Sequence, residues 1–369
     1  MIDDIQVRRG CIPLFETVPP QLWLAEWSNQ LFVKLSAEGI VGWGEVLPAA
    51  GNTREPYITL IERFAEGLRG EDQKDIEKLW LTMRRMSFTG GYGVTTGAIS
   101  GIDIALWDIA GKVANQPVSE LVEPGKSTMP KLTRYVSLSR YVDNTKMCEA
   151  VGHLIEKGYK SIKIHQSASD TLEGVKLLRD SFGTDFELMV DLNCGFSYSE
   201  AEDFMRRTES YELKWIEEPV WPPDDFDSLA KLNKLGPVAA GENFFSIYEF
   251  NRLLEEKALT FYQPDVAKCG GVTALSKILE SIKAHGEKIA LHNRPHNGWI
   301  GLIAGAHVAS CIDPGAIIES PPNEIPEKYF TSNATLNMTT IQVSGPGLGI
   351  VPVEPIPESK SPPKLLRFH

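Results

Sequence analysis

Seven residues that can bind a metal or move a proton recur at nearly constant spacing in the second half of the chain. Each ends a short apolar run, and successive members are 23 to 28 residues apart: Lys163, Asp191, Glu217, Glu242, Asp265, His292 and Glu319. One strand, one loop and one helix take up about 25 residues. The spacing therefore predicts that the seven side chains lie at the carboxyl ends of seven successive parallel strands.

Three of these residues, Asp191, Glu217 and Glu242, are carboxylates predicted on adjacent strand ends. Without a positive partner they would repel one another and raise one another's pKa. A hard divalent cation with oxygen ligands is the simplest stabiliser, and Mg²⁺ leaves positions open for water or substrate. The alternative is that the three are ion-paired residues at the rim of the sheet. We favour a Mg²⁺ site because all three are in register.

The next two strand ends carry Asp265 and His292. A carboxylate that accepts a hydrogen bond from one imidazole nitrogen fixes the tautomer and makes the other nitrogen more basic. A single histidine is more often structural, so this assignment depends on its neighbours. His296 is a rival four residues later; we prefer His292 because the apolar run IAL leads directly into it.

The stretch KSIKIH places Lys163 and His165 on one face of a short strand, because side chains alternate along a strand. A metal and the Lys163 ammonium would neutralise charge that develops on carboxylate oxygens. His165 and His292 would then reach the adjacent carbon from opposite faces. Glu319 closes the ring, facing Lys163 and His165. Such a site can remove a proton from a carbon next to a carboxylate.

Eight short apolar runs alternate with helical stretches from about residue 131 onward, which is typical of βαβ units. Eight units in about 190 residues favour a closed barrel over an open sheet. The first part of the chain is predicted to be a small α+β unit, with a hairpin over residues 31–46 and two helices. The Gly- and Pro-rich tail is predicted to be extended and to pack on that unit. The eight runs are YVSLS, SIKIH, ELMVDLN, LKWIEEP, VAAGEN, LTFYQPD, KIALHN and AIIES.

Bulk composition excludes several classes of protein. A net charge of -12 argues against nucleic acid as the partner, because phosphate binding needs basic surface. No apolar run has the roughly 18 residues of a membrane span, and the first residues lack a signal-peptide pattern. The five cysteines are scattered without a zinc or disulfide pattern, which predicts a cytoplasmic protein.

The segments GWGE, IDIALWDIAGK, GYKSIKIH, VDLN, IEEP, GEN, QPD and PGLG occur in this order over nearly the whole chain. In this set the chain resembles the mandelate racemase subgroup of the enolase superfamily. The resemblance implies an α/β fold, a (β/α)7β modified TIM barrel with an N-terminal α+β capping domain completed by the C-terminal tail. The expected boundaries are 1–125 for the capping domain, 126–335 for the barrel and 336–369 for the C-terminal segment.

The resemblance also implies roles for the ring residues. Asp191, Glu217 and Glu242 would bind Mg²⁺, Asp265 and His292 would form a catalytic dyad, and Glu319 would hydrogen-bond a substrate carboxylate oxygen. This chain has Lys163-Ile-His165 where the family pattern is K-x-K. Either His165 replaces the lysine base, or the site works from the His292 face alone. Lys268 is expected to lie beyond the strand that ends at Asp265. Candidate substrate-binding residues are Trp23, Arg54, Asn193, Arg294, His296 and Trp299.

The predicted reaction is Mg²⁺-dependent dehydration of a sugar acid, an aldonate or aldarate, to a 2-keto-3-deoxy acid. Racemases, epimerases and sugar-lactone cycloisomerases of this subgroup use the same residues and remain alternatives, and a barrel that only binds its ligand is a remote one. By the same resemblance, the segments FETVPPQLWLAEW and PAAGNTREP form a lid over the pocket. In these segments Trp23, Trp27 and Arg54 either contact the hydroxyl groups of the sugar acid or pack the lid on the barrel. By the same resemblance, a homo-oligomer is expected, an octamer or a dimer.

Overall fold

The computed structural model describes residues 1–12, 29–48, 54–125, 131–294 and 298–358. Two of the candidate substrate-binding residues, Trp23 and His296, lie outside these ranges. None of the helices within the ranges is long and apolar enough to cross a membrane. All five cysteines fall within them, and none of the five forms a disulfide bond.

The first part of the chain forms a three-stranded antiparallel sheet covered by helices. The strands follow chain order, and the predicted hairpin joins β2 to β3 through Glu38 and Gly39, whose φ angles are 51° and 79°. The elements are β1 (Ile2–Cys11), β2 (Asn29–Ala37), β3 (Ile40–Val46), α1 (Arg54–Leu68), α2 (Ile76–Met86), α3 (Val94–Ala114) and α4 (Val118–Val122).

Helix α3 packs directly on β3, and two glycines of β3 make this close approach possible. A Cβ on Gly44 would lie 1.9 Å from the Gly101 carbonyl oxygen, and one on Gly42 would lie 2.2 Å from that of Ala105. Helix α3 runs past Gly111 to Ala114, and Asn115, which adopts the left-handed conformation, ends it.

Eight parallel strands form the closed barrel, and β11 pairs with β4 to complete it. A helix follows each of the first seven strands, which confirms the (β/α)7β prediction. The strands are β4 (Lys131–Ser137), β5 (Ser161–Ile164), β6 (Glu187–Asp191), β7 (Leu213–Glu217), β8 (Val238–Ala240), β9 (Phe261–Tyr262), β10 (Lys288–Leu291) and β11 (Ile317–Ser320). The helices are α5 (Asn144–Glu156), α6 (Ala168–Phe182), α7 (Tyr198–Thr208), α8 (Phe226–Leu232), α9 (Ile247–Glu255), α10 (Gly271–Ala284) and α11 (Trp299–Ile312).

Side chains fill the barrel interior below the rim, among them Tyr135, Met189, Trp215 and Phe261. The rings of Tyr135 and Trp215 meet edge to face with centroids 5.1 Å apart. This packed layer closes the lower part of the barrel. The ionisable groups of the ring lie above this layer, toward the carboxyl ends of the strands.

The chain after the barrel contacts both the first sheet and the barrel. The short strands β12 (Phe330–Ser332), β13 (Thr335–Leu336), β14 (Thr340–Gln342) and β15 (Ile350–Pro352) pair antiparallel, β12 with β15 and β13 with β14. Strand β14 also pairs with β4 of the barrel. Glu354 forms an ion pair with Lys34 of β2, and Asp108 of α3 accepts the Leu348 N–H at 2.9 Å.

A buried histidine joins the barrel to this last segment. His307 of α11 is fully buried, and its Nε2 donates to the Leu348 carbonyl oxygen at 3.1 Å. Its Nδ1 accepts from the Ser119 N–H at 3.4 Å, so the ring is the neutral Nε2–H tautomer. Burial lowers the pKa of His307 from its ordinary value of 6.5 to about 4.

This histidine should make the protein less stable in mild acid. Between pH 6.5 and 4 the unfolded chain binds a proton at His307 that the folded protein does not, so the free energy of unfolding falls by up to about 3 kcal/mol as pH drops. Urea unfolding at pH 7.5 and 5 should show a smaller fall for His307→Gln. The exposed His285, changed to Gln, is the matched control. Equal pH slopes in the two variants would contradict this account.

Candidate active site

The structure brings the ring residues together at the carboxyl-terminal rim of the barrel. Asp191 and Glu217 are the last residues of β6 and β7, and Lys163 and Glu319 lie within β5 and β11. His165, Glu242, Asp265 and His292 follow the ends of β5, β8, β9 and β10. The rim is therefore lined by ionisable groups from seven neighbouring strands.

Lys163 is fully buried, and its ammonium lies among three carboxylates. Its Nζ is 2.5 Å from Glu217 Oε1, 3.0 Å from Glu319 Oε1 and 3.5 Å from Asp191 Oδ2. Burial alone would lower the pKa of the Lys163 amine, but the facing carboxylates outweigh burial and raise the pKa well above its ordinary value. Lys163 is thus a fixed positive charge.

His165 presents one ring nitrogen to the site. Its Nδ1 lies 2.7 Å from the Leu138 carbonyl oxygen, which can only accept, so Nδ1 carries a proton. Its Nε2 lies 2.9 Å from Asp191 Oδ2. Burial raises the pKa of Asp191, but Lys163 and then His165 outweigh burial and lower it to about 2. The backbone carbonyl orients the ring so that Nε2 faces the centre of the rim.

On the opposite wall, His292 and Asp265 form the predicted pair. His292 Nδ1 is 2.6 Å from Asp265 Oδ2, and Asp265 Oδ1 accepts the Ala267 N–H at 2.7 Å. His292 Nε2 lies 2.9 Å from Glu242 Oε2 and 3.9 Å from Glu319 Oε2. Burial opposes a charged ring, but Glu242 and then Glu319 raise the pKa of His292 well above 6.5.

The three candidate metal ligands are each oriented by a donor. Trp215 Nε1 and Gln263 Nε2 donate to Glu217 Oε2 at 3.0 and 2.7 Å, and Asn193 Nδ2 donates to Asp191 Oδ1 at 2.9 Å. Lys268 Nζ donates to Glu242 Oε2 at 3.0 Å. These contacts fix the orientation of each carboxylate at the rim.

This donor set fits a hard divalent cation in its chemistry. Glu242 raises the proton affinity of Asp191, and Asp191 raises that of Glu217. A cation with oxygen ligands would relieve that repulsion. In the arrangement described, lysine and histidine side chains bond these oxygens, and no three acidic, histidine or cysteine side chains of the described ranges surround one point as ligands. The Mg²⁺ assignment therefore stays a prediction.

Lys268 is the main site residue whose importance the sequence did not reveal. It does lie beyond β9, as expected, but its ammonium reaches back to Glu242 at 3.0 Å and Asn243 Oδ1 at 3.5 Å. Its position three residues after Asp265 brings it round one tight turn, where the Lys268 N–H donates to the Asp265 carbonyl at 3.0 Å. The pattern PDVAK was the available signal.

Glu218, next to Glu217, was also missed. Asn243 Nδ2 donates to both of its carboxylate oxygens at 2.9 Å. Burial, with Glu242 and Asp191 nearby, raises the pKa of Glu218 to about 8. Glu218 thus belongs to the acidic cluster, and Asn243 links it to Lys268.

The candidate substrate-binding residues fall into different places. Asn193 lies at the rim beside Asp191. Arg294 is buried, and its guanidinium donates to the Pro48 carbonyl oxygen of the first unit. Trp299 is 3% exposed and packs in the hydrophobic core, and Arg54 begins α1 and is buried. Substrate contact by any of them stays a prediction.

Comparison with known proteins agrees with this architecture. Residues 16–122 match the family described as mandelate racemase / muconate lactonizing enzyme, N-terminal domain, and residues 146–356 match the enolase C-terminal domain-like family. The chain therefore belongs to the enolase superfamily, within its mandelate racemase / muconate lactonizing enzyme group. Members of this superfamily bind Mg²⁺.

Curated relatives include an arabinonate dehydratase of Saccharolobus solfataricus, 30% identical over 85% of each chain. A D-galactonate dehydratase of Cronobacter sakazakii is 32% identical, over 75% of this chain and 74% of its own. A D-galactarolactone cycloisomerase of Agrobacterium fabrum is 30% identical, over 85% and 86%. Among solved structures, a Streptomyces coelicolor racemase with bound magnesium has a TM-score of 0.82 at 23% identity, covering 95% and 97%, which shows a shared fold.

Removing the buried ammonium should destabilise the protein more than removing an exposed one. Lys163→Met leaves three buried carboxylates without their shared positive partner, which should cost about 3 to 5 kcal/mol of unfolding free energy in EDTA. Lys277→Met, which breaks an exposed pair with Glu77, should cost less than about 1 kcal/mol.

The same pair of variants can be compared after adding Mg²⁺. If the carboxylates bind the metal, millimolar MgCl₂ should stabilise both variants in denaturant unfolding, as any ligand of the folded state does. The gain should be larger for Lys163→Met, whose carboxylates have lost their positive partner. Equal stability losses in the two variants in EDTA would contradict the charge assignment.

Proposed function

We propose that the protein removes the proton α to a carboxylate with the help of Mg²⁺, and that its reaction is dehydration of a sugar acid to a 2-keto-3-deoxy acid. The observation that carries this proposal is the pair of histidines on opposite walls of the rim. His165 Nε2 faces the site from β5, and His292, held by Asp265 at 2.6 Å, faces it from β10. The dehydratase relatives support the substrate class.

Asp191, Glu217 and Glu242 would hold the Mg²⁺. Bound there, the ion would polarise the substrate carboxylate and stabilise the negative charge that develops on its oxygens. Lys163 supplies a second positive charge, which its carboxylate partners keep protonated against the effect of burial. Glu319, 3.0 Å from Lys163 Nζ and 3.5 Å from the Tyr135 hydroxyl, would bind a substrate carboxylate oxygen when protonated or through a shared proton.

The two histidines would divide the proton transfers. His165 Nε2 takes the α-proton, because Nδ1 is already committed to the Leu138 carbonyl. His292 Nε2 then delivers a proton to the departing β-hydroxyl, and the raised pKa of His292 suits a proton donor. Loss of water leaves an enol that becomes the 2-keto acid. In the reverse assignment His292 abstracts and His165 donates.

Racemisation, epimerisation and lactone cycloisomerisation begin with the same proton removal and form the second candidate group. The cycloisomerase relative favours including them. They differ from dehydration in keeping every oxygen of the substrate. The intact set of ionisable groups argues against a barrel that only binds its ligand. Assembly into a homo-oligomer also stays a prediction, and light scattering would test it.

A panel of aldonates, aldarates and their lactones separates these outcomes. A dehydratase yields a 2-keto acid, detected by semicarbazide, whereas an isomerase yields only proton exchange in D₂O or a changed optical rotation. If no member of the panel gives a product or exchanges its α-proton in the presence of Mg²⁺, the non-catalytic alternative is the one that remains.

The metal assignment predicts a specific loss of Mg²⁺ affinity. Glu217→Gln removes one of three carboxylate ligands and should weaken Mg²⁺ binding by at least about 10-fold in calorimetry. Excess EDTA should abolish turnover of the wild type. Glu77→Gln, at an exposed ion pair, is the matched control and should bind Mg²⁺ normally. Full turnover in excess chelator would rule out the metal.

The dyad prediction concerns the two histidines separately. His165→Ala and His292→Ala should each lower product formation by at least about 100-fold, because each removes a proton carrier. Only the variant that keeps the abstracting base should still exchange the α-proton with D₂O, measured by proton NMR. We expect that variant to be His292→Ala.

Two results would overturn this division of roles. If His165→Ala retains exchange and His292→Ala loses it, the abstracting base is His292. If His292→Ala stays near wild-type rates while His296→Ala is inactive, His296 is the proton carrier and Asp265 has another partner.

A further inference from the structure

In five of the seven barrel helices, the residue immediately before the first turn is a serine or an aspartate. These residues have the side chains that best satisfy the free N–H groups of a helix start. They are Asp143, Ser167, Ser197, Asp225 and Ser246, preceding α5 to α9. The last two helices, α10 and α11, instead begin after Gly270 and Gly298, which have no side chain to offer.

Helix α11 is capped from the first unit. Glu45, at the end of β3, is 1% exposed, and its Oε2 accepts the N–H groups of Ile300 and Gly301 at 3.1 and 3.0 Å. Its Oε1 lies 3.4 Å from Gln30 Nε2. These two N–H groups belong to the first turn of α11, so Glu45 does the work of the missing cap side chain.

Helix α10 is capped in the same way by α3. Asp103 is fully buried, its Oδ2 accepts the Thr273 N–H at 2.9 Å, and its Oδ1 accepts the Thr273 hydroxyl at 2.6 Å. Ser100, one turn earlier on α3, accepts the Gly270 N–H at 2.8 Å. A Cβ at Gly271 would lie 2.3 Å from Asp103 Oδ2, so the glycine is what lets the carboxylate approach.

The two helices capped from outside are those that follow the proposed dyad. Asp265 lies six residues before α10, and its carbonyl accepts the N–H groups of Lys268 and Cys269 at 3.0 and 2.9 Å. The Gly271 N–H donates to the Val266 carbonyl at 3.1 Å. His292 precedes α11 by seven residues. A shift of either helix start would therefore move the turn that carries one member of the dyad.

We propose that Glu45 and Asp103 are positioning residues, through which the first unit fixes the 2.6 Å contact between His292 and Asp265. This inference rests on the proposed function, since it assigns the dyad a proton-transfer role. Burial raises the pKa of each carboxyl group to about 7, against the hydrogen bonds that it accepts. A neutral acid still has a carbonyl oxygen to accept N–H groups. An amide should therefore replace Glu45 with little loss.

The test compares Glu45→Ala, Glu45→Gln, Glu45→Asp and Asp103→Ala with Asp143→Ala, which removes the cap of α5, a helix that follows no proposed catalytic residue. Glu45→Ala and Asp103→Ala should lower kcat on the best sugar acid by about 10- to 100-fold with KM within about twofold. Glu45→Gln should recover kcat to within about threefold of wild type. Glu45→Asp, too short to reach both amides, should not.

Amide hydrogen exchange provides a readout that needs no turnover. In Asp103→Ala the amides of Ala267, Lys268 and Cys269 should exchange at least about 10-fold faster than in Asp143→Ala. If the wild type turns over no sugar acid, the proposed reaction is wrong. Unchanged amide hydrogen exchange in Asp103→Ala would separately show that Asp103 does not hold the turn after Asp265. If an alanine variant does not fold, the comparison of kcat between Glu45→Gln and Glu45→Asp tests the proposal instead. The proposal is overturned if the kcat of Glu45→Ala and Asp103→Ala is no lower than that of Asp143→Ala. It is also overturned if KM changes by as large a factor as kcat.

Discussion

The burial of several carboxylates together at one end of a closed barrel is the constraint on which the rest of this site depends. Parallel strands that close on themselves bring their carboxyl ends to one rim, and five of these ends or the turns after them carry an acid. Such groups cannot stay ionised at low exposure without positive partners. Lys163 and Lys268 supply fixed charge, and His165 and His292 supply groups that can gain or lose it. The same charge balance that the fold requires is what proton abstraction next to a carboxylate uses.

If the carboxylates bind a metal as proposed, this charge balance means that the metal would replace side-chain cations. Lys163 bonds Glu217 and Glu319 and lies near Asp191, while Lys268 and His292 share one oxygen of Glu242. A divalent ion among the carboxylates would take over part of this role, and the ammonium and imidazole groups would then be available to a substrate. The carboxylates are therefore held by the protein's own side chains, and the proposed metal would compete with those side chains for the same oxygens.

The spacing of the polar strand ends allowed the barrel and its ring to be predicted, because a βα unit has a nearly constant length. All eight predicted strands are present, and the ring residues do converge. Lys268 and Glu218 escaped prediction because their roles depend on local backbone turns, with Glu218 at a φ of 41°. Glu45 and Asp103 escaped because each bonds a helix start more than 150 residues away in sequence. Spacing within a unit carries no information on such contacts between units.

The histidine at position 165 is the feature that sets this site apart from the K-x-K pattern. A lysine in its place would need its pKa lowered from about 10.4 by roughly 3 units to act as a base near neutral pH. An imidazole needs a far smaller change in proton affinity to act as a base near neutral pH. The Leu138 carbonyl already occupies Nδ1, so the proton taken up must go to Nε2, the nitrogen that faces the rim. His292 is similarly bonded through Nδ1 to Asp265, so both rings direct the same nitrogen, Nε2, toward the rim. Two imidazoles arranged in this way can pass a proton in at one wall and out at the other, which is what both loss of water and inversion of a carbon centre require.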